Sequence, residues 1–163
     1  RAVRAVRAAG ATVLPLHQRT RLDWSCVPRL ARWARGHGID LVESHSFKAH
    51  VVAWRLRRAL GVPWLAYAHG WTAETWRVRL YNVLERRLLT QPDHVCAVAP
   101  PLADALRAAG RDGPLSVIPN GLDASPEPVS AAERAAARQR FGIDSEDCLA
   151  VAAGRLSLEK GFD

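Results

Sequence analysis

Six short apolar runs recur along the chain, each set off by a segment with helical spacing, and that alternation narrows the folds open to it. The runs are Ala11–Leu16, Ile39–Ser44, Val62–Ala68, His94–Ala99, Leu115–Pro119 and Cys148–Ala153. They are continuous rather than alternating, as strands covered on both faces are. Helical patterns lie between them at Ser25–Arg35, Lys48–Leu60, Glu74–Leu89, Pro101–Ala109 and Ser130–Arg140. Gly61 and Gly110 close two of these, and Ser130 to Glu133 has the spacing of a capping box, in which hydroxyl and carboxylate each satisfy a free backbone donor. The opening "RAVRAVRAAG" reads as a further helix ending at Gly10. Strand–helix alternation at this spacing predicts an α/β chain: a parallel sheet with helices on both faces.

The rhythm breaks at "NGLDASPEPVSAAE", where Gly, Pro, Ser and acidic residues read as a linker. Charge changes sign there as well. Residues 1–123 hold eighteen Lys and Arg against nine Asp and Glu, and residues 124–163 hold five against seven. One helix and one apolar run follow the linker. A lone parallel strand leaves its ladder groups and apolar faces unpaired, so residues 147–163 are expected to be the stump of a second domain. The division predicted is 1–119, a linker and helix over 120–146, and the start of that domain over 147–163.

Composition excludes several classes. At 163 residues the chain can bury a sizeable core. No apolar run approaches the roughly 20 residues of a membrane-spanning helix. No signal-peptide pattern opens the chain, and its first residue is Arg1, so the native N-terminus is expected to lie upstream. Cys26, Cys96 and Cys148 are few and far apart, which suits buried thiols in a reducing cytoplasm better than a disulfide or metal framework. All six tryptophans lie between Trp24 and Trp76 among arginines. Such a surface could attract nucleic acid, an anionic membrane or a phosphorylated substrate. A GC-rich coding sequence would also yield it, since 21 of the 23 basic residues are Arg. No recognition-helix, zinc-finger or RNA-binding pattern supports specific nucleic-acid binding.

The chain closes on "GRLSLEKGFD". Gly154 permits a close turn past a ligand, Arg155 and Lys160 offer a planar fork and a mobile point charge, and Gly161 would open a helix whose amides favour anions. Two adjacent phosphates fit that chemistry; a solvated turn carrying an Arg and a Lys fits the same residues. The order of a Walker loop is absent. His69 and Gly70 follow the run "WLAYA", and His45 and Lys48 follow "DLVES". Ligands of open parallel sheets bind beyond the carboxyl ends of the strands, where these residues fall. His50 reads as a helix-surface residue, and Glu85, Arg86 and Arg87 as a solvated helix face. Asn120-Gly121 is an ordinary turn pair by composition. No His or Asp cluster has ligand spacing, so no protein-held metal or other cofactor is expected.

Five stretches in order, "DLVESHSFKAH", "GVPWLAYAHGW", "LERRLLTQPDHVCAVAPPLADAL", "LSVIPNGLD" and "AVAAGRLSLEKGFD", resemble glycosyltransferase family 4, retaining enzymes of the GT-B fold. The resemblance covers almost the whole chain. It implies a Rossmann-like acceptor-side domain followed by the beginning of a donor-binding domain. By the same resemblance Arg155 and Lys160, with Gly154 and Gly161, hold the donor diphosphate and stabilise the departing nucleotide. Glu159 is assigned structure first. His69 and Gly70 lie near sugar and acceptor, His45 and Lys48 face the same cleft, and Asn120 and Gly121 form the interdomain turn. His69, Arg155 and Lys160 are the implied catalytic set.

The implied activity transfers a sugar from a nucleotide-diphosphate donor to a hydroxyl of a lipid-linked or glycan acceptor. Envelope glycan, lipopolysaccharide or glycolipid synthesis is the expected setting, in a bacterial cytoplasm or at the inner face of its membrane. The family's glycine-rich first turn and its paired glutamates are not in these residues, so the isolated chain is expected to be inactive. A nucleotide-sugar epimerase of the same architecture is the alternative enzyme. A basic module binding nucleic acid or a membrane surface, or a non-catalytic scaffold, is the alternative without catalysis.

Overall fold

The computed structural model describes residues 2–16, 23, 25–71, 75–121, 128–154 and 161. The chain forms two compact units, Arg1–Pro119 and Asn120–Asp163. The first contains helices α1 (Ala2–Ala8), α2 (Cys26–Gly36), α3 (Phe47–Leu60), α4 (Trp76–Leu88) and α5 (Pro100–Ala108). It also holds the strands β1 (Val42–Ser44), β2 (Trp64–Ala68), β3 (His94–Ala97) and β4 (Leu115–Val117).

The strands form one parallel sheet in the order β1-β2-β3-β4. Val42 pairs with Trp64, Ala66 with Val95, and Val95 with Leu115. Since side chains alternate along a strand, this register gathers Val42, Trp64, Ala66, Ala68, Val95 and Ala97 on one face. There they pack with Ala31 of α2, Ala53 and Leu56 of α3, and Ala103 and Leu106 of α5 in a single core. Alanine at six of these sheet and helix positions lets the helices approach the sheet closely. The opposite face is less covered: Leu65, Tyr67, His94 and Ser116 are half-buried and Glu43 is exposed, with Cys96 alone buried. The apolar runs implied cover on both faces; among the described residues the helices supply it on one.

Local rules set the helix ends. Gly61 stops α3 in the left-handed region at φ 72°, its N–H bonded to the Arg57 carbonyl. Thr75 caps α4 through the N–H of Val78, and two prolines open α5 where no amide is needed. Asp93 ties two strands to α3, accepting from the Trp64 amide at 2.8 Å and from the Arg57 guanidinium at 2.6 Å.

Two predicted strands are absent. Ala11–Leu16 and Cys148–Ala153 carry no ladder, and Leu149 and Val151 are exposed. An apolar run becomes a strand only where a neighbour accepts its amides, and neither segment has one among the described residues. The second unit contributes α6 (Ala131–Arg140), started by a complete capping box between Ser130 and Glu133. Of the cysteines, Cys26 and Cys96 are buried thiols as expected, whereas Cys148 is exposed.

Candidate functional site

Adjacent parallel strands carry their following loops to the same edge, and this brings two predicted residues together. His45 follows β1 and His69 follows β2; Nδ1 of the first lies 3.0 Å from Nε2 of the second. Glu43, two residues before His45 and on the same side of the strand, reaches its Nε2 at 2.5 Å. Tyr67, likewise two residues before His69, stacks on His45 with ring centroids 4.6 Å apart and planes 14° from parallel. The phenol is pushed above its ordinary pKa by its electrostatic interaction with Cys96 on β3, then by burial, by its hydrogen bond with that side chain and by Glu43. It therefore stays protonated at neutral pH.

The site is an exposed ledge of two imidazoles, a carboxylate and a phenol at the carboxyl end of the sheet. Such groups can accept from hydroxyls, donate to anions and exchange protons. Gly70 leaves the ledge with φ 110°, a backbone conformation that favours glycine. Lys48, exposed on the first turn of α3, lines an adjoining open groove with Glu43 and Ser46.

The other predicted site residues belong to the second unit. Asn120 and Gly121 are exposed, and neither adopts positive φ. Gly154 is exposed, and Gly161 has φ 61°. Arg155, Glu159 and Lys160 lie outside the described residues. Among the described residues, no group of three His, Cys, Asp or Glu side chains could hold a metal ion.

A family model described as Glycosyltransferase Family 4 matches residues 1–125. The chain belongs to Glycosyltransferase Family 4. No curated protein matches it. Among solved structures, sucrose-phosphate synthase from Thermosynechococcus elongatus is similar at 18% identity and a TM-score of 0.48. That likeness covers 80% of this chain and 65% of that one.

For this family member, two buried polar centres escaped the sequence reading. His50, expected on a helix surface, is fully buried: its Nδ1 is 2.8 Å from Ser44 Oγ, which also accepts the Trp64 indole N–H at 2.7 Å. Glu85 leaves the expected solvated face to reach His50 and Trp71, while Arg86 lies over the Trp71 ring at 4.5 Å. Helical spacing carries the signal, since His50, Ala53 and Leu56 share one stripe. Arg111 is buried with its guanidinium on the carbonyls of Thr90, Pro92, Asp93 and Pro114. Burial, then Arg107, lowers its pKa, and Asp93 opposes them. The room left at Gly113 is the one trace of it in the sequence.

Proposed function

We propose that the protein of which these residues are part is a retaining GT-B glycosyltransferase. It moves a sugar from a nucleotide-diphosphate donor to a hydroxyl acceptor. Residues 1–119 form its acceptor-side domain, 120–146 the linker and helix, and 147–163 the start of its donor-binding domain. In the reaction the bond between the anomeric carbon and the diphosphate oxygen breaks, and a bond from that carbon to the acceptor oxygen forms. The acceptor proton passes to the leaving phosphate, and the sugar keeps its anomeric configuration. Family membership supports transfer; the convergence of His45 and His69 at 3.0 Å beyond the strand ends is the observation that carries the site. His69 and Gly70 take the sugar or acceptor hydroxyls, with His45 and Lys48 beside them. Gly154, Arg155, Lys160 and Gly161 take the diphosphate, where cations stabilise charge that grows as the nucleotide departs. Asn120 and Gly121 form the interdomain turn.

The test is sugar transfer by the intact enzyme. His69→Ala and Lys160→Ala are each expected to lower turnover, the latter with weaker nucleotide binding. Donor consumed at the same rate without acceptor would favour the epimerase alternative. The 163-residue chain by itself is expected to transfer nothing.

The acceptor is lipid-linked or an envelope glycan, and α4 favours work at an anionic membrane surface. No helix among the described residues is long and apolar enough to cross a membrane. Trp76, Leu80, Val83 and Leu84 stand at i, i+4, i+7 and i+8 of α4, within an arc of about 100°. All four are exposed, Trp76 at 69%. The exposed charges of this helix, Arg77, Arg79 and Arg87, are all cationic. An apolar stripe with an indole and flanking arginines suits a helix lying in the plane of anionic lipid. Flotation of the chain with anionic but not neutral vesicles is the expected result. Equal recovery with both returns the arginines to solvation.

A further inference from the structure

With both imidazoles neutral, the spacing of Glu43, His45 and His69 sets where their protons sit. An ionised carboxylate has no hydrogen to give, so the 2.5 Å contact with Glu43 Oε1 places hydrogen on His45 Nε2. A neutral His45 then offers only a lone pair at Nδ1. Across 3.0 Å, His69 must donate to it from Nε2. His69 is left with its own lone pair at Nδ1, and among the described residues no hydrogen bond to that atom is recorded. The reverse order would set a carboxylate oxygen against the His45 lone pair at 2.5 Å, two acceptors with no hydrogen between them. Stacking supports the arrangement: Tyr67 lies nearly parallel to His45, which keeps the imidazole edge turned to Glu43 on one side and His69 on the other.

We propose that Glu43 is a positioning residue that acts through His45 to fix His69 as a hydrogen-bond acceptor at Nδ1. The group His69 receives is then the O–H of a sugar or alcohol, which can donate. A phosphate oxygen, which at neutral pH only accepts, would meet a lone pair. The choice of ligand group rests on His69 lying at the sugar; the proton order does not.

Nitrogen-15 imidazole spectra of the full chain, with both rings neutral, test the proton order directly. Both His45 and His69 are expected as Nε2–H tautomers. Glu43→Ala removes the acceptor and should leave both rings as tautomer mixtures. Glu43→Gln keeps a carbonyl oxygen and should keep the order. Hydrogen on His45 Nδ1 in the unaltered chain, or unchanged tautomers in Glu43→Ala, overturns the proposal. In the intact enzyme, Glu43→Ala should lower kcat by roughly 10- to 100-fold, by analogy with loss of the partner that orients a metal-bound histidine. KM for the nucleotide sugar should barely move, and Glu43→Gln should recover most of the rate. The expected tautomers with unaltered kinetics would overturn the hydroxyl assignment and remove His69 from the sugar, leaving only the proton order standing.

Discussion

His50 Nε2 lies 3.3 Å from Glu85 Oε1, outside hydrogen-bond geometry, while the second oxygen of that carboxylate accepts the Trp71 indole N–H at 3.0 Å. One acidic side chain of α4 thus closes a polar network that begins at Ser44 on β1 and passes through His50 on α3. The network underlies the strand that carries His45, so stability and site geometry meet in it.

Removing that carboxylate exposes the cost of burying its partners. Glu85→Ala leaves the Trp71 N–H without its acceptor and His50 Nε2 without a nearby charge. A loss of about 1–3 kcal/mol is expected, the usual penalty for an unsatisfied buried group. Glu85→Gln retains an oxygen for Trp71 and should lose less. Urea unfolding of the chain measures both. An unchanged midpoint for Glu85→Ala would return the residue to the solvated face that its sequence neighbours suggest.

Arg111 and Gly113 form a second dependent pair. A methyl group at Gly113 would sit 2.9 Å from the Arg111 guanidinium carbon. That end of the side chain is ordinarily free to move, but here it is pinned by four backbone carbonyls. Gly113→Ala should therefore cost about 1–3 kcal/mol through overpacking. Arg111→Ala should cost more, since it removes all four guanidinium bonds from a buried position and leaves the Pro92 carbonyl without its partner. The Pro114 carbonyl keeps the Val95 amide. Thermal unfolding should rank the unaltered chain above Gly113→Ala and that above Arg111→Ala. Equal melting of all three would show the guanidinium to be dispensable.

Much of the sheet was legible because β2 and all of β3 but His94 are apolar and bounded by turn residues, so pattern and tertiary structure agree. Ala11–Leu16 and Cys148–Ala153 have the same local pattern without a neighbour to pair with, and pairing is not written in a run itself. His45 and His69 could be placed together because both end parallel strands, and the rule for such ends needs no side-chain detail. Glu43 and Tyr67 were overlooked although period-2 alternation puts each on the side of the histidine that follows it. His50 was overlooked although it shares a helical stripe with Ala53 and Leu56, and Arg111 was illegible for another reason. Polar residues are usually exposed, and only three-dimensional partners reveal the exceptions.

The capping box of α6 makes stability depend on pH in a definite direction. Hydrogen bonds from the Ser130 hydroxyl and then its amide lower the pKa of Glu133, with a small opposing effect of burial. A carboxyl lowered in the folded state stabilises above its unfolded pKa, and the contribution is lost as pH falls through the lowered folded value. The first turn of α6 should accordingly fray in acid. Ser130→Ala removes the larger cause and should raise the Glu133 pKa toward the ordinary carboxylate range, besides weakening the helix start by about 1 kcal/mol. Carbon-13 titration of the Glu133 carboxyl reads this. The same titration curve in both chains would mean that the hydroxyl does not set the charge.

Gly70 links backbone conformation to the imidazole ledge. At φ 110° it lies where L-residues are strained, yet a methyl group would meet only Leu102, 3.9 Å away at each terminal carbon. Space is ample, so Gly70→Ala acts on the backbone alone, at about 1–3 kcal/mol for a residue held in a sparsely populated region. The chain can relieve that strain only by turning φ at Gly70, next to the peptide that holds His69. The His45–His69 contact should then weaken while the sheet stays intact. Proton cross-relaxation between the two rings should fall together with a loss in melting temperature, whereas amide exchange at Ala66 and Val95 should be unaffected. Sugar transfer by the intact enzyme should fall with the ring contact. A variant that keeps the contact and still loses stability would place the strain elsewhere in the turn and free His69 from its dependence on Gly70.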